Sequence, residues 1–247
     1  MPYRLPPLEQ KSRYLRQGFD AIARRYDLFN DLITQGQHRR WKRVLVRELG
    51  LRPGQRVLDL CCGTGDIARR VRDRLGPAGL VVAADFSGNM LQLASARLSS
   101  SRAAPRAADA PHALLRADAT RLPFRDGAFD ALTIGYGLRN VDDLPVCLKE
   151  LYRVLAPGGV LASLDVGKVR AAGLRVLANA YFFYVVPWIG WLIQPGQDLY
   201  SYLPHSSLDY PHQDQLKAML AEHGFVDNRV LEFLGGASVI HLSRKPG

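Results

Sequence analysis

A run of small residues, Cys61-Cys62-Gly63-Thr64-Gly65, joins a predicted strand over 56–60 to a predicted helix that begins near Asp66. Gly63 and Gly65 let a ligand approach the backbone where a side chain would clash. The first turn of the helix presents N–H groups that have no partner within the helix. This turn is therefore predicted to bind a ligand of the nucleotide type.

A carboxylate stands at the end of the next predicted strand. About twenty residues beyond the turn, the apolar segment 81–84 leads into Asp85. A carboxylate placed there can accept hydrogen bonds from both hydroxyls of a ribose. Asp85 is therefore a candidate for the ribose contact.

The spacing of the turn separates two kinds of nucleotide ligand. A dinucleotide turn follows the pattern G-x-G-x-x-G, which seats a pyrophosphate and is absent here. The pattern Asp59-x-Cys61-x-Gly63-x-Gly65 resembles the D/E-x-G-x-G-x-G turn of class I S-adenosylmethionine methyltransferases, with Cys61 in place of the first glycine. S-adenosylmethionine carries no phosphate, so its binding needs close contact with the backbone more than it needs an anion-binding loop. A structural turn without a ligand is the alternative.

Two further sequence features follow along the chain at distances that match this class of methyltransferase. Asp118 comes directly after the predicted third strand, where its carboxylate can accept a hydrogen bond from an adenine amino group. Its alternative role is to cap a turn, which is common for aspartate after a strand. Phe129-Asp130 begins the predicted fourth strand, and Pro157-Gly158-Gly159 turns into the fifth. Four signals in this order favour a methyltransferase.

Strand and helix patterns alternate along the chain from residue 56. Helical spacing of apolar residues predicts a helix over 13–49 that breaks around Thr34–Gly36. The other predicted elements are strands at 56–60, 79–85, 114–117, 129–135, 160–166, 226–233 and 237–244, helices at 66–75, 88–98, 143–155 and 211–223, and a surface loop at 99–111. This alternation predicts an α/β, Rossmann-like fold with a mostly parallel seven-stranded sheet and helices on both faces. We expect an N-terminal helical cap over 1–50, and a methyltransferase domain over 51–247 with an apolar lid inserted at about 170–208.

Composition narrows the class of protein. The chain has 247 residues, of which 47% are hydrophobic and 23% charged, so a disordered, collagen-like or disulfide-scaffold polypeptide is excluded. Three cysteines, two of them adjacent, fit neither a disulfide framework nor a four-thiolate zinc site. We expect no metal, because no cluster of metal-binding residue types has ligand spacing. Residues 1–12 lack the apolar core of a secretory signal, so a cytoplasmic location is expected.

The net charge of +10 is concentrated at the N-terminus, and 27 of the 33 basic residues are arginine. Residues 1–56 hold 13 basic and 5 acidic side chains, a net +8, which leaves +2 for the rest of the chain. A basic patch suits an anionic membrane surface, a nucleic acid or an anionic ligand. An arginine-rich, solvated helix face is the alternative.

Three segments carry a resemblance to one family. The first contains FDAIARRYD at 19–27 and GQHRRWK at 36–42, and the second, at 135–141, is GYGLRNV. The third contains YSYL at 200–203 and Tyr210-Pro211. Over nearly the whole chain these segments resemble the ubiquinone/menaquinone biosynthesis C-methyltransferases (UbiE/MenG).

The resemblance implies an enzyme that uses S-adenosylmethionine to methylate a ring carbon of a prenylated quinol. The turn and the resemblance together predict the cofactor-binding residues Asp59, Gly63, Thr64, Gly65, Asp85, Phe86, Met90, Asp118, Ala119 and Gly135. Gly135 stands where many members of this family have serine, so a contact from a serine hydroxyl is absent at this cofactor position. The cysteine-containing turn and Gly135-Tyr136-Gly137 look most like the cyanobacterial and plant branch, which methylates a demethylnaphthoquinol.

Three other functions stay open at this point. A benzoquinol of ubiquinone biosynthesis is the alternative acceptor, and a cofactor-binding subunit without catalysis is the alternative to an enzyme. An RNA or protein methyltransferase lacks support, since the Asn/Asp-Pro-Pro-aromatic motif of many amino-methylating enzymes is absent. We therefore expect no nucleic-acid partner.

Methylation at carbon requires an electron-rich ring, which a quinol supplies once a hydroxyl is deprotonated. The protein must orient the reactants and favour the phenolate. Arg139 is the candidate for the positive charge that favours the phenolate, because a guanidinium stays charged at any working pH. Asn140 would orient the oxygen or a water. The alternative for Arg139 is an ion pair with Asp142 or Asp143.

The segment 176–197 carries no charge across 22 positions. We expect a helix to about Val186, a break at Pro187 and a short second piece. Its tyrosines, phenylalanines and tryptophans are typical of a membrane interface. The segment is therefore predicted to roof the quinol pocket and to face lipid at a peripheral membrane site, with core packing or a homodimer contact as alternatives.

Overall fold

A seven-stranded sheet organises the protein, whose computed structural model describes residues 6–99 and 110–247. Its strands are β1 (Arg56–Leu60), β2 (Leu80–Asp85), β3 (His112–Arg116), β4 (Phe129–Gly135), β5 (Leu155–Val166), β6 (Val226–Phe233) and β7 (Ser238–Arg244). They lie in the order β3-β2-β1-β4-β5-β7-β6, with β7 antiparallel to both of its neighbours. The predicted α/β fold with a mostly parallel seven-stranded sheet is confirmed.

Ten α-helices lie within the described part of the chain. They are α1 (Leu8–Ile22), α2 (Tyr26–Thr34), α3 (Gln37–Glu48), α4 (Asp66–Leu75), α5 (Gly88–Ser99), α6 (Leu144–Val154), α7 (Ala172–Ala180), α8 (Val186–Ile193), α9 (Leu199–Asp209) and α10 (Gln213–Glu222). The predicted break near residue 35 is confirmed, because Gln35 and Gly36 both have positive φ. Most of the loop predicted at 99–111 lies outside the described residues.

The strand order reverses between β1 and β4, which lie side by side at the centre of the sheet. Leu58 of β1 pairs with Val82 of β2 on one side and with Leu132 of β4 on the other. Because these strands are parallel, their carboxyl ends meet at one edge of the sheet. Open α/β sheets bind ligands in the crevice at such a switch point.

Both faces of the sheet are covered, so its central strands are apolar at nearly every position. Val57 points into a core with Ile67 and Val71 of α4. Its neighbour Leu58 points into a second core with Leu148 and Leu151 of α6. Successive strand residues alternate between the two cores, which fixes the register of β1.

A third apolar cluster joins the N-terminal helices to the segment before α10. Leu15 and Phe19 of α1 pack in one cluster with Met90 of α5 and with Leu199 and Tyr202 of α9. Through this cluster α1 lies against the carboxyl edge of the sheet rather than apart from it.

The predicted break at Pro187 is wrong, because one continuous helix runs over Ala172–Ile193. A π-helical turn, Tyr181–Val185, joins α7 to α8, and the N–H of Val186 reaches back to the carbonyl of Tyr181. Proline lacks an N–H and its ring needs space near the preceding turn. The wider π turn accommodates both requirements just before Pro187.

Candidate functional site

The small-residue turn adopts the left-handed backbone that its glycines predict. Gly63 has φ +53° and Gly65 has φ +78°. A Cβ on Gly65 would lie 3.0 Å from the Cβ of Ala94, so α5 approaches the turn closely. Cys61, which replaces a glycine of the motif, also has φ +53°, a conformation that L side chains rarely adopt.

Asp85 ties the end of β2 to this turn. Its Oδ2 accepts the N–H of Gly63 at 2.8 Å, and its Oδ1 accepts the N–H of Ser87 at 2.9 Å. Burial raises the pKa of Asp85, while these backbone hydrogen bonds oppose the shift. Each carboxylate oxygen has a second lone pair. The predicted ribose contact is therefore compatible with the bonds that hold the side chain.

A cavity of about 490 Å³ opens at the carboxyl ends of β1, β2 and β4. Its lining includes Asp85, Phe86, Asp118, Ala119 and Asn140, so five of the residues predicted for the site come together there. The helix α1 closes the cavity from above with residues that include Ser12, Leu15 and Arg16. Sequence reasoning did not assign any role to α1 at this site.

Asp118 takes the capping role that was the alternative to an adenine contact. Its Oδ1 accepts hydrogen bonds from the N–H of Thr120 at 2.8 Å and from its hydroxyl at 2.7 Å. The residue nevertheless lines the cavity. Asp85, Asp118 and Cys61 of the turn line one cavity, whereas Gly63 and Gly65 do not line it.

Other predicted cofactor residues lie behind the cavity wall. Thr64 is buried, and its hydroxyl donates to Asp27 at 2.8 Å and accepts from Arg97 at 3.0 Å. Met90 packs in the third apolar cluster. At Gly135 a Cβ would lie 2.5 Å from Cδ1 of Ile67, which gives a steric reason for glycine where related proteins carry serine.

Asp59 lies beneath the turn with no solvent exposure. Its Oδ1 accepts the hydroxyl of Thr133 at 2.7 Å, whereas its Oδ2 has no partner among the described residues. Burial raises the pKa of Asp59 to about 7. The carboxyl is therefore a titrating group directly below the candidate cofactor site.

Arg139 follows β4 on the one-turn helix Leu138–Asn140, and it pairs with Asp165 at the end of β5. The alternative expected for Arg139, an ion pair with an aspartate, is therefore present, but the partner is Asp165 and neither of the two examples, Asp142 and Asp143. Asp142 instead accepts the hydroxyl of Ser12, and Asp143 caps α6 by accepting the N–H of Val146. Burial alone would lower the pKa of Arg139, but Asp165 together with Tyr26 and Tyr202 outweighs it, so that pKa is raised.

The Leu138–Asn140 turn separates two cavities. Asn140 lines the larger one beside Asp85, and Arg139 lines a second cavity of about 230 Å³. Within residues 6–99 and 110–247, Nε of Arg139 and Oδ1 of Asn140 are buried without hydrogen-bond partners. One free donor and one free acceptor therefore lie on adjacent residues at the boundary of the cavities.

Tyrosines surround Arg139 on several sides. Tyr202 and Tyr210 line the second cavity, and burial raises the pKa of Tyr202 to about 12 and that of Tyr210 well above its usual value. Tyr26 covers the glycine turn, with its Cε1 atom 3.9 Å from the place of a Cβ on Gly63. These phenols stay protonated at neutral pH, so they offer hydroxyl donors and aromatic walls.

Sequence reasoning missed Asp165, Tyr26 and the residues of α1 as part of this region. Tyr26 stood inside the family-like segment 19–27 and could have been found there. Asp165 carried no motif signal. Among the residues that the structure describes, no group of three or more His, Cys, Asp or Glu side chains could hold a metal ion.

Comparison with known proteins agrees with this geometry. The sequence model of the ubiE/COQ5 methyltransferase family matches residues 8–245. A demethylmenaquinone methyltransferase of Leptospira interrogans is 41% identical over 99% of this chain and 97% of its own length. A protein of the same name from Staphylococcus aureus is 37% identical over 92% of this chain and 91% of its own length.

Solved structures share the fold at low sequence identity. A possible histamine N-methyltransferase from Thermotoga maritima, described as SAM-dependent, superposes with a TM-score of 0.66 at 18% identity, covering 93% of this chain and 99% of that one. Together these findings confirm the predicted fold, the methyltransferase class and S-adenosylmethionine as the cofactor. The individual site residues stay predictions.

Proposed function

The chain belongs to the ubiE/COQ5 methyltransferase family, and on that premise we propose that it methylates a ring carbon of a prenylated demethylnaphthoquinol. The curated relatives from Leptospira interrogans and Staphylococcus aureus are named demethylmenaquinone methyltransferases, which favours a naphthoquinol over a benzoquinol. The cyanobacterial and plant branch stays a prediction. The names of the two bacterial relatives support a naphthoquinol as the acceptor, and this support does not depend on the branch of the family.

One observation carries the proposal for the site. The Leu138–Asn140 turn stands between the larger cavity, which has the residues for the cofactor, and the second cavity at Arg139. The lining of the second cavity includes apolar and phenolic side chains, among them Leu138, Leu144 and Tyr210, together with charged ones such as Lys11 and Asp209. Such a lining suits an aromatic quinol ring. We assign the ring to this cavity.

On the cofactor side the chain binds and orients. We assign the ribose hydroxyls to Asp85 and the adenine amino group to Asp118, because both side chains line the larger cavity. When bound, S-adenosylmethionine supplies an electrophilic methyl group on a sulfonium. The helix α1 borders this cavity and covers part of it.

On the acceptor side Arg139 and Asn140 act on the quinol oxygen. Arg139 borders the second cavity, and its guanidinium charge favours the ionised phenolate there. The side-chain amide of Asn140, which borders the larger cavity, orients the hydroxyl or a water that removes its proton. Ionisation of the hydroxyl raises the electron density at the adjacent ring carbon. That carbon would take the methyl group as the S–CH3 bond breaks and S-adenosylhomocysteine leaves, and it would then lose its proton to restore the aromatic ring.

The acceptor is tested with labelled S-adenosylmethionine and three synthetic acceptors: a demethylnaphthoquinol, a demethylbenzoquinol and the oxidised demethylnaphthoquinone. We expect methylation of the naphthoquinol and none of the quinone, because only the quinol provides a carbon nucleophile. Preference for the benzoquinol would transfer the proposal to ubiquinone-type substrates. Cofactor binding by calorimetry without any turnover would show a binding subunit instead of an enzyme.

A membrane surface is the proposed partner of α7 and α8. Six apolar side chains follow one another at intervals of three and four residues along this helix, and we call them the apolar stripe: Leu174, Leu177, Tyr181, Tyr184, Trp188 and Trp191. All six are exposed, with Tyr184 78% and Trp188 59% accessible. Exposed apolar surface of this extent marks an interaction site. Tyrosine and tryptophan are enriched at membrane interfaces.

The helix is long and apolar enough to cross a membrane, yet its contacts favour a position on the surface. The hydroxyl of Tyr181 donates to the carbonyl of Ile33 at 2.9 Å, and Arg25 donates to the carbonyl of Ile193. A Cβ on Gly190 would lie 2.3 Å from the ring of Tyr200, so α8 packs closely on α9. Held at its middle and at its C-terminal end, the helix presents most of its stripe outward from the protein body.

Basic side chains near the stripe fit an anionic lipid surface. Arg24 and Arg25 lie at the exposed start of α2, and Leu28 and Leu32 of that helix extend the apolar surface. An apolar helix face and nearby cations act together at an interface, as two weak membrane signals. A prenylated substrate resides in the bilayer, so the enzyme would collect it there from the cytoplasmic side.

Tryptophan fluorescence tests this partner directly. Of the three tryptophans, Trp41 is buried and Trp188 and Trp191 lie in the stripe. Vesicles with anionic lipid are expected to shift the emission to the blue and to co-sediment the protein at low salt. The Trp188→Gln/Trp191→Gln variant should lose co-sedimentation, whereas Val146→Gln on α6 should keep it. A wild-type protein that forms a dimer by light scattering and ignores vesicles would assign the stripe to a second copy.

A further inference from the structure

Asp165, the residue before the last of β5, directs both carboxylate oxygens at Arg139. Its Oδ1 accepts from Nη1 of Arg139, and its Oδ2 accepts from the backbone N–H of Arg139 at 3.3 Å. The N–H of Val166 adds a third bond to Oδ1 at 2.9 Å. Both side chains of the pair are buried, with 6% exposure for Arg139 and 4% for Asp165.

These contacts fix the orientation of the guanidinium. Nη1 is shared between Asp165 and the carbonyl of Tyr136 at 3.0 Å, and the Tyr136 ring lies 5.6 Å from the guanidinium carbon. A planar guanidinium held through Nη1 has a set direction for its Nε–H bond. In the described part of the chain, Nε is the buried nitrogen of this group without a partner.

We propose that Asp165 is a positioning residue that holds the guanidinium of Arg139 in a fixed orientation beside the acceptor oxygen. The inference rests on the function proposed above, in which Arg139 stabilises the phenolate. Donors that are fixed before the reaction stabilise a developing charge without reorganisation. A donor side chain that is not held in place must first reorient, and it then stabilises the developing charge less.

The register of the sheet explains why this aspartate reaches the turn after β4. Gly135 pairs with Leu164, and the N–H of Tyr136 donates to the carbonyl of Leu164 at 2.6 Å. Asp165 is thus the next residue of β5, beside the start of the Leu138–Asn140 turn. Its carboxylate also compensates the charge of a guanidinium that is removed from water.

The substitution Asp165→Asn tests the role, because asparagine keeps the shape but loses the charge. Its NH2 group cannot accept from Arg139, so the guanidinium loses one anchor. We expect kcat to fall by about tenfold or more, with the dissociation constant of S-adenosylmethionine within about twofold of wild type. Asp165→Glu keeps a carboxylate and should recover part of the lost kcat.

Asp130 offers a matched control at the opposite edge of the sheet. It also accepts both the backbone N–H and the guanidinium of one residue, Arg56, at 2.7 and 3.5 Å. Asp130→Asn breaks a more exposed clamp of the same kind, which lines neither of the two cavities, and it should leave kcat unchanged. An equal loss of kcat in both variants would show that a general loss of structure is responsible.

A double-mutant cycle separates positioning from independent roles. If Asp165 acts through Arg139, then Asp165→Asn causes no further loss of kcat in an Arg139→Ala background. Additive losses would overturn the proposal, as would an unchanged kcat in the single variant. A wild-type protein that methylates no quinol at all would refute the proposed function instead, so the two failures are distinguishable.

A measurement on the wild-type protein needs no variant that might misfold. Hindered rotation of the Arg139 guanidinium should give separate nitrogen signals for its Nη atoms by NMR, assigned with Arg139→Lys. Rapid averaging of those signals, as for an exposed arginine, would contradict a fixed orientation. This readout is independent of turnover and of the identity of the acceptor.

Discussion

Cys61 and Gly137 share one space at the rim of the cofactor cavity. A Cβ on Gly137 would lie 2.5 Å from the Cβ of Cys61 and 2.8 Å from its Sγ. Cys61 itself has φ +53° at a position where the methyltransferase motif carries glycine. The larger side chain at 61 is therefore accommodated because residue 137 has none.

This relationship predicts a compensating pair of substitutions. Gly137→Ala should lower the free energy of unfolding by about 1–3 kcal/mol, because the added methyl group overpacks the rim. Cys61→Gly should recover most of that loss, since it removes the atoms that clash and relieves the positive φ. Urea unfolding of the two single variants and the double variant checks the pair. Purely additive effects would mean that the two sites do not share space.

Asp85 is expected to control cofactor affinity. Asp85→Ala removes the ribose acceptor and frees the N–H of Gly63, which the carboxylate holds at 2.8 Å. The dissociation constant of S-adenosylmethionine should rise roughly tenfold or more, about 1.4 kcal/mol. Calorimetric titration measures it, and Asp73→Ala on the exposed side of α4 is the control. An unchanged affinity would remove Asp85 from the ribose site.

Arg139 is expected to affect turnover rather than cofactor binding. Arg139→Ala should lower kcat by about 10²-fold or more, the usual effect of losing a donor to a developing oxyanion. Its effect on the dissociation constant of S-adenosylmethionine should stay within about twofold, because Arg139 lines the second cavity. Arg139→Lys keeps a charge but loses the planar group, so it should be nearly as slow. Parallel losses of turnover and affinity would assign Arg139 a structural role.

Short-range patterns of apolar and polar residues in the sequence predicted the strands of the sheet well. The alternation of apolar strands and amphipathic helices sets the order of elements, and the turn at 61–65 placed the cofactor edge. Asp165 could not be predicted in the same way. Its place beside Arg139 depends on the pairing of Gly135 with Leu164 across β4 and β5, and no sequence pattern shows that contact.

Local rules also failed where tertiary structure overrode them. Proline usually ends a helix, but the π turn at Tyr181–Val185 carries the helix past Pro187. Hydrophobicity alone could not separate a core helix from a surface helix in the same segment. Only the packing of Gly190 against Tyr200 shows which side is covered and which is exposed.

The closed position of α1 predicts a role for Asp20 in cofactor retention. Its Oδ1 accepts the hydroxyl of Ser87 and the N–H of Asn89, and Asn89 donates back to the carbonyl of Asp20 at 3.0 Å. Asp20→Ala should weaken this anchor and speed cofactor release several-fold, as seen by stopped-flow fluorescence. Asp73→Ala again serves as the control. An unchanged release rate would show that the apolar cluster alone holds α1 in place.

Asp59 predicts how stability depends on pH in the cofactor-free protein. Burial raises its pKa to about 7 in the folded state, so between roughly pH 4 and 7 the folded state binds more protons than the unfolded state. The free energy of unfolding should therefore fall as pH rises through this window, by a few kcal/mol in order of magnitude. Asp85, whose pKa burial also raises, contributes in the same direction.

Asp59→Asn keeps an acceptor for Thr133 and cannot ionise, so urea unfolding should show the variant gaining stability relative to wild type from pH 5 to pH 8. A constant difference across that range would mean that Asp59 does not titrate there.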